Sequence, residues 1–144
     1  MKIYLDNSCF NRPFDDQKQL RIKLETEAKL DIQQQIYQRN LELTWSYILD
    51  FENEANPFEQ RRLAIREWKK HAKVDTGETK EILEKAKRFH LIGIKSKDSI
   101  HLACAIAMRC AYFITTDDDL IKKASGVMKI KVTDPISFIK ETAK

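Results

Sequence analysis

Glycine and proline are scarce, three of each in 144 residues. So few breakers favour a helix-rich fold with short connections. No glycine-rich stretch joins a strand to a helix, which excludes the phosphate cradles of the common nucleotide-binding motifs. Cysteine is limited to Cys9, Cys104 and Cys110, with no Cys-x-x-Cys pair. An odd count without metal-ligand spacing argues against a disulfide framework and against a thiolate zinc site. Cys104 and Cys110 sit in an apolar stretch, where a free thiol acts as a small hydrophobe; this suits a reducing cytosol. No apolar run approaches membrane-spanning length. The opening MKIYLDNS is too short an apolar run for a signal peptide. The expectation is a cytoplasmic protein without membrane attachment.

The balance of what is present, 42% hydrophobic and 33% charged residues, is that of a chain with a real core and a solvated surface. The length suits one domain over residues 1–144. The net charge of +4 is too mild to identify a partner. Its distribution is uneven: Lys69, Lys70, Lys73, Lys80, Lys85, Lys87, Arg88, Lys95 and Lys97 crowd one third of the chain. Such a run is either the solvated faces of helices or a surface that tracks phosphates.

Along the chain, apolar β-leaning runs alternate with helical patterns. Strands are expected at Lys2–Leu5, Leu41–Trp45, Tyr112–Thr115 and Met128–Val132. A long helix is expected from about Gln17 to Arg39, with Leu20, Leu24, Ala28, Ile32 and Ile36 on its inner face. Ser46 caps a helix carrying Ile48, Leu49, Glu52 and Ala55 on one side. Phe58–Ala72 and Glu78–His90 read as two helices joined by a turn at Val74–Gly77, an inserted helical hairpin. An Ala-rich helix follows over Ser96–Met108, a short one over Asp118–Ala124, and a last one starts at Pro135. Alternation of this kind predicts an α/β/α sandwich around a mostly parallel sheet of four to five strands.

Ligands of an open parallel sheet gather beyond the carboxyl ends of its strands. Asp6 ends the first strand, Glu52 lies on the helix after the second, and Asp117 follows the third. Asp98 begins the helix that leads into that third strand. Asp6, Asp98 and Asp117 each also suit a helix cap. Glu52 shares an apolar helix face and demands a positive partner. Four carboxylates together would repel and raise one another's pKa values. A divalent ion resolves this, and an all-oxygen set suits Mg²⁺ or Mn²⁺. His101 lies one turn after Asp98 and reads as an ion-pair or core-edge residue rather than a catalytic base. His71 and His90 read as surface residues, Trp45 and Trp68 as core.

At these residues the chain resembles the PIN-domain family, and within it the VapC-type ribonuclease toxins of toxin–antitoxin pairs. YLDNSCF (4–10), SYILDFE (46–52), KDSIHLACA (97–105) and FITTDDDL (113–120) are similar to four family motifs, in the family's order. The resemblance implies a central parallel sheet, Mg²⁺ or Mn²⁺, and hydrolysis of RNA phosphodiesters. It places catalysis and metal binding on Asp6, Glu52, Asp98 and Asp117. Asn7, Ser8 and Thr116 would be the supporting polar groups on the substrate side, although Ser8 equally suits a turn cap. Thr115 reads as an ordinary strand residue. Asp117 is preferred over Asp118 and Asp119 because it directly follows the threonines, with Asp119 as an outer ligand. The resemblance also implies a small antitoxin partner over the active edge and allows a homodimer.

Rival readings are weaker. A catalytically silent RNA- or protein-binding module of the same fold has no reason to keep all four acids. A haloacid-dehalogenase-like phosphatase needs a second Asp at position 8, which is Ser8. A response-regulator receiver needs an acidic pair after its first strand, where this chain has Asp6-Asn7.

Overall fold

A computed structural model describes residues 1–143; residue 144 of the expected domain lies outside them. Five strands form one parallel sheet in the order β3-β2-β1-β4-β5. They are β1 (Lys2–Leu5), β2 (Glu42–Ser46), β3 (Ala72–Thr76), β4 (Tyr112–Ile114) and β5 (Lys131–Thr133). Around them run α1 (Asn7–Asn11), α2 (Leu20–Tyr37), α3 (Tyr47–Glu54), α4 (Glu59–Trp68), α5 (Lys80–Leu91), α6 (Ser96–Ala107), α7 (Asp118–Lys123) and α8 (Pro135–Thr142). Strand β1 is central, and its consecutive residues Ile3, Tyr4 and Leu5 are all buried. Successive side chains point to opposite faces, so the sheet is covered on both. Helix α2 packs on α8, and α5 on α6. Chain order moves outward from β1 to β3 and then returns to β4. The switch point therefore lies between β1 and β4.

Two expectations need correction. Phe58–His90 is not a helical hairpin, because β3 lies between α4 and α5 and pairs with β2 from Leu43↔Ala72 to Ser46↔Thr76. Its residues alternate between half-buried and exposed, with Lys73 and Asp75 outward. A charged, half-solvated edge strand of this length reads as a turn in sequence. The inner face of α2 also differs. Leu20 and Leu24 are exposed, while Glu25 and Lys29 are buried beside Ile32 and Ile36. Arg12 explains Glu25, donating from Nε to Oε1 at 3.1 Å. Aromatic rings explain Lys29, whose Nζ lies 4.8 Å from the Trp68 centroid and 5.5 Å from that of Phe10.

Gly93 closes α5 at φ 102°, donating its N–H to His90 O at 3.0 Å. This left-handed residue lets the chain reverse directly into α6, whose first turn carries Asp98. Among the described residues, no helix is long and apolar enough to cross a membrane.

Candidate metal centre

Asp6 leaves the sheet at the end of β1, and its backbone N–H still bonds Ile114 O of β4 at 2.9 Å. Its buried carboxylate is held from three directions. Oδ1 accepts from the Asn7 N–H at 2.7 Å; Oδ2 accepts from Thr115 Oγ1 at 2.8 Å and from Ser8 Oγ at 3.2 Å. Thr115 is therefore more than a strand residue. Its Oγ1 also accepts the Asp117 N–H at 3.1 Å, tying the ends of β1 and β4 together. Ser8 Oγ accepts the Thr116 N–H at 3.2 Å. Thr116 contributes its backbone to this net, and Ser8 supports Asp6 rather than capping a turn alone.

Glu52 finds the positive partner that its position demanded: its Oε1 bonds His101 Nε2. His101 is fully buried. Burial alone lowers its pKa, but the Glu52 hydrogen bond and the charges of Asp6, Glu52 and Asp98 outweigh it and raise the value. In the protonated ring both nitrogens donate. Nδ1–H is given to Tyr4 Oη, and Tyr4 passes its own hydroxyl proton to Ser46 Oγ at 2.6 Å. Ser46 caps α3, accepting the Leu49 N–H at 3.4 Å. The ion-pair reading of His101 holds. Sequence reasoning did not anticipate the Tyr4–Ser46 relay behind it, because a Tyr in an apolar strand gives no sign of a polar role.

Asp98 stands in the first turn of α6 and is not its cap, which is Lys95. Its side chain is half-buried and has no hydrogen-bond partner among the described residues. Burial and the neighbouring Asp6 raise its pKa to about 6; Asp117 and Glu52 add to the rise, while His101 opposes it. Asp98 thus feels the other three acids at once. Asp117 is a true cap of α7, with Oδ1 accepting from Asp119 N at 3.0 Å and Leu120 N at 3.2 Å. Its neighbours are turned to other cations. Asp118 holds Arg21 of α2 through contacts of 2.5 and 2.6 Å, and exposed Asp119 pairs with Lys123 at 2.9 Å. Of the three, Asp117 is among the main charges acting on Asp98.

One ligand atom each from Asp6, Glu52 and His101 lies within 4.8 Å of the others, a spacing that suits a small ion. His101 has spent both ring nitrogens on Glu52 and Tyr4, so the donors left for a cation are carboxylate oxygens. Asp6 and Glu52 converge on His101 at these distances; Asp98 and Asp117 stand outside this group, and Asp98 joins it through charge, as its raised pKa reflects. The donor chemistry fits a hard divalent ion.

The PIN domain profile matches residues 3–126. The chain belongs to the PIN domain family. None of the curated proteins compared with it matches. Solved structures give the same fold at low identity. A chain of VapBC-1 from nontypeable Haemophilus influenzae is 17% identical with a TM-score of 0.60, over 94% of this chain and 98% of that one. A chain of FitAcB from Neisseria gonorrhoeae is 13% identical with a TM-score of 0.61, over 92% and 97%. A chain of VapBC2 from Rickettsia felis, bound to a DNA fragment from its promoter, is 10% identical with a TM-score of 0.60, over 93% and 98%. This PIN domain thus keeps the fold along nearly the full length of those chains.

Proposed function

We propose that this PIN domain is an Mg²⁺- or Mn²⁺-dependent endoribonuclease of the toxin kind, with Asp6, Glu52, Asp98 and Asp117 holding the metal. The observation that carries this reading is the convergence of Asp6, Glu52 and His101 at the switch point, one ligand atom from each lying within 4.8 Å of the others, with half-buried Asp98 close enough to be acted on by the charges of Asp6, Asp117 and Glu52. A bound divalent ion would supply a Lewis acid that activates water and stabilises charge on a phosphate. The chain supplies position. Thr115, Ser8 and the Asn7 N–H fix both oxygens of Asp6. His101 fixes Glu52 through one oxygen. Asn7, whose side-chain oxygen is buried without a partner, would with Ser8 and Thr116 be the supporting polar groups on the substrate side. Fixed carboxylates of this kind act by electrostatics and geometry.

The same reading includes an antitoxin protein over the active edge, supported by the VapBC and FitAcB assemblies whose chains share the fold. It also includes a homodimer, for which exposed Leu91 and Ile92 at the end of α5 offer apolar surface. A monomer by light scattering at high concentration counts against the dimer.

The test is RNA cleavage by purified protein with Mn²⁺ or Mg²⁺, with EDTA, and with folded Asp6→Asn and Asp98→Asn variants. Cutting that needs metal and both carboxylates is expected. Tight RNA binding that ignores metal, with no cleavage, would favour a silent binding module instead.

A further inference from the structure

The run of lysine and arginine that crowds one third of the chain divides once it is folded. Lys69, Lys70 and Lys80 face the carboxylates of Asp50, Glu67 and Glu84. Lys85 and Arg88 stand on an outer stripe of α5 and meet Lys129, from the segment before β5, across a groove. Two stretches of this groove, of about 600 and 480 Å³, are continuous through Lys85, Ile106 and Lys129, which line both. Among the described residues, none of Lys85, Arg88 and Lys129 has a carboxylate within ion-pair distance. Burial, then the charges of Lys129 and Arg88, lower the pKa of Lys85, and Glu81 at one end of the groove does not offset them. The walls between these cations are aliphatic. Ile106 and Val127 are half-buried, while Ile92 and Met128 are 61% and 95% exposed. Ala111 and Lys129 lead into β4 and β5, so the groove opens at the amino ends of the strands, the edge opposite Asp6 and Asp117.

Cations crowded without counter-ions favour an anionic ligand. The aliphatic walls decide which kind. Unpaired nucleic acid is gripped by cations together with exposed rings on which bases stack, and the exposed apolar side chains here, Ile92 and Met128, have no ring. A peptide that carries both carboxylates and aliphatic side chains satisfies the cations and the walls together. From Glu81 to Ile92 the helix runs about 16 Å, a length covered by three turns of a docked helix or by about five extended residues. A second copy docked here about a two-fold axis would set the cations against their own images. We propose that the groove between α5 and the segment Val127–Lys129 docks an acidic, aliphatic peptide segment of a partner protein, with its carboxylates on Lys85, Arg88 and Lys129 and an aliphatic side chain against Ile92 and Met128. Such a partner sits away from the metal centre and leaves it open. The proposal stands independently of the nuclease reading.

The probe is a random peptide library displayed on phage and selected against the full chain, with enriched peptides then synthesised and measured by fluorescence anisotropy. Enriched sequences are expected to combine Asp or Glu with Leu, Ile, Val or Met. The double substitution Lys85→Ala and Lys129→Ala should weaken their binding by roughly 10-fold or more, and Met128→Ser by roughly 5-fold or more. Lys87→Ala, on the other flank of α5, should change it by less than about 2-fold. A peptide with its acids replaced by lysine should bind the variant with Lys85→Glu and Lys129→Glu better than it binds the wild type, a gain that a merely unfolded variant cannot give. A selection that enriches nothing overturns the proposal, as do enriched peptides that lack acids or bind every variant equally. If single-stranded dodecauridylate binds tighter than any enriched peptide, needs both lysines and ignores Met128→Ser, the groove is a phosphate track instead. Dimerisation by light scattering that Met128→Ser abolishes would give the groove to a second copy and also overturn the proposal.

Discussion

Asp6 is nearly enclosed, and its environment makes Thr115 the informative substitution at the residue scale. Thr115→Val removes the 2.8 Å bond to Oδ2 and the acceptor for the Asp117 N–H. Losing hydrogen bonds to a buried charged group should cost about 1–3 kcal/mol, read from the urea midpoint. It should also shrink any rise in melting temperature caused by Mn²⁺; an unchanged rise would show that Thr115 does not position Asp6. Asp98 has the opposite sign. Its pKa of about 6 shows that its charge is disfavoured in the metal-free fold. Asp98→Asn should therefore stabilise the protein in EDTA at neutral pH by about 1–2 kcal/mol, after discounting for partial exposure. A variant less stable than wild type under those conditions sinks the claim of electrostatic crowding. The carboxylates themselves were legible in the sequence because Asp6 and Asp117 follow strands, Glu52 shares an apolar helix face and Asp98 opens a helix. Thr115 was not, since a β-branched residue in a strand looks the same whether its hydroxyl is used or idle.

At the scale of elements, α2 carries an unusual charge inside. Lys29 is only 3% exposed, and burial lowers its pKa to about 8, with Cys9 acting in the opposite sense. Below about pH 8 both folded and unfolded states hold the proton, and the burial penalty is present in full. Between about 8 and 10.5 the unfolded chain binds more protons, so stability rises with pH. Lys29→Met should remove that slope and gain on the order of 1–3 kcal/mol at pH 7, less whatever the Trp68 and Phe10 rings contribute. Urea midpoints at pH 7 and pH 9.5 check this; parallel slopes in both proteins would refute it. The apolar repeat Leu20–Leu24–Ala28 pointed to the neighbouring stripe of the helix. That repeat was misleading because Arg12 and the ring of Trp68, both distant in sequence, make Glu25 and Lys29 tolerable inside. The strand β3 was missed for a related reason, since only its pairing with β2 distinguishes it from a turn.

For the whole molecule, a metal that binds the folded state alone stabilises it by mass action. At an ion concentration a hundred times Kd this is about 2.7 kcal/mol. For a domain of this size it should raise the melting temperature by about 5–10 °C, reversed by EDTA and lost in Asp6→Asn. No shift with either Mg²⁺ or Mn²⁺ would leave the acids as caps and ion-pair partners. The sequence by itself determined the alternation of strands and helices, and with it the parallel sheet, because hydrophobic periodicity is local. It also determined which acids fall near the strand ends. Only the tertiary structure decided that Glu52 meets His101, that Thr115 serves Asp6, and that Asp118 and Asp119 turn to Arg21 and Lys123 while Asp117 caps α7. Those choices depend on which distant side chains the packed sheet brings within a hydrogen bond of each other, and no local pattern encodes that distance.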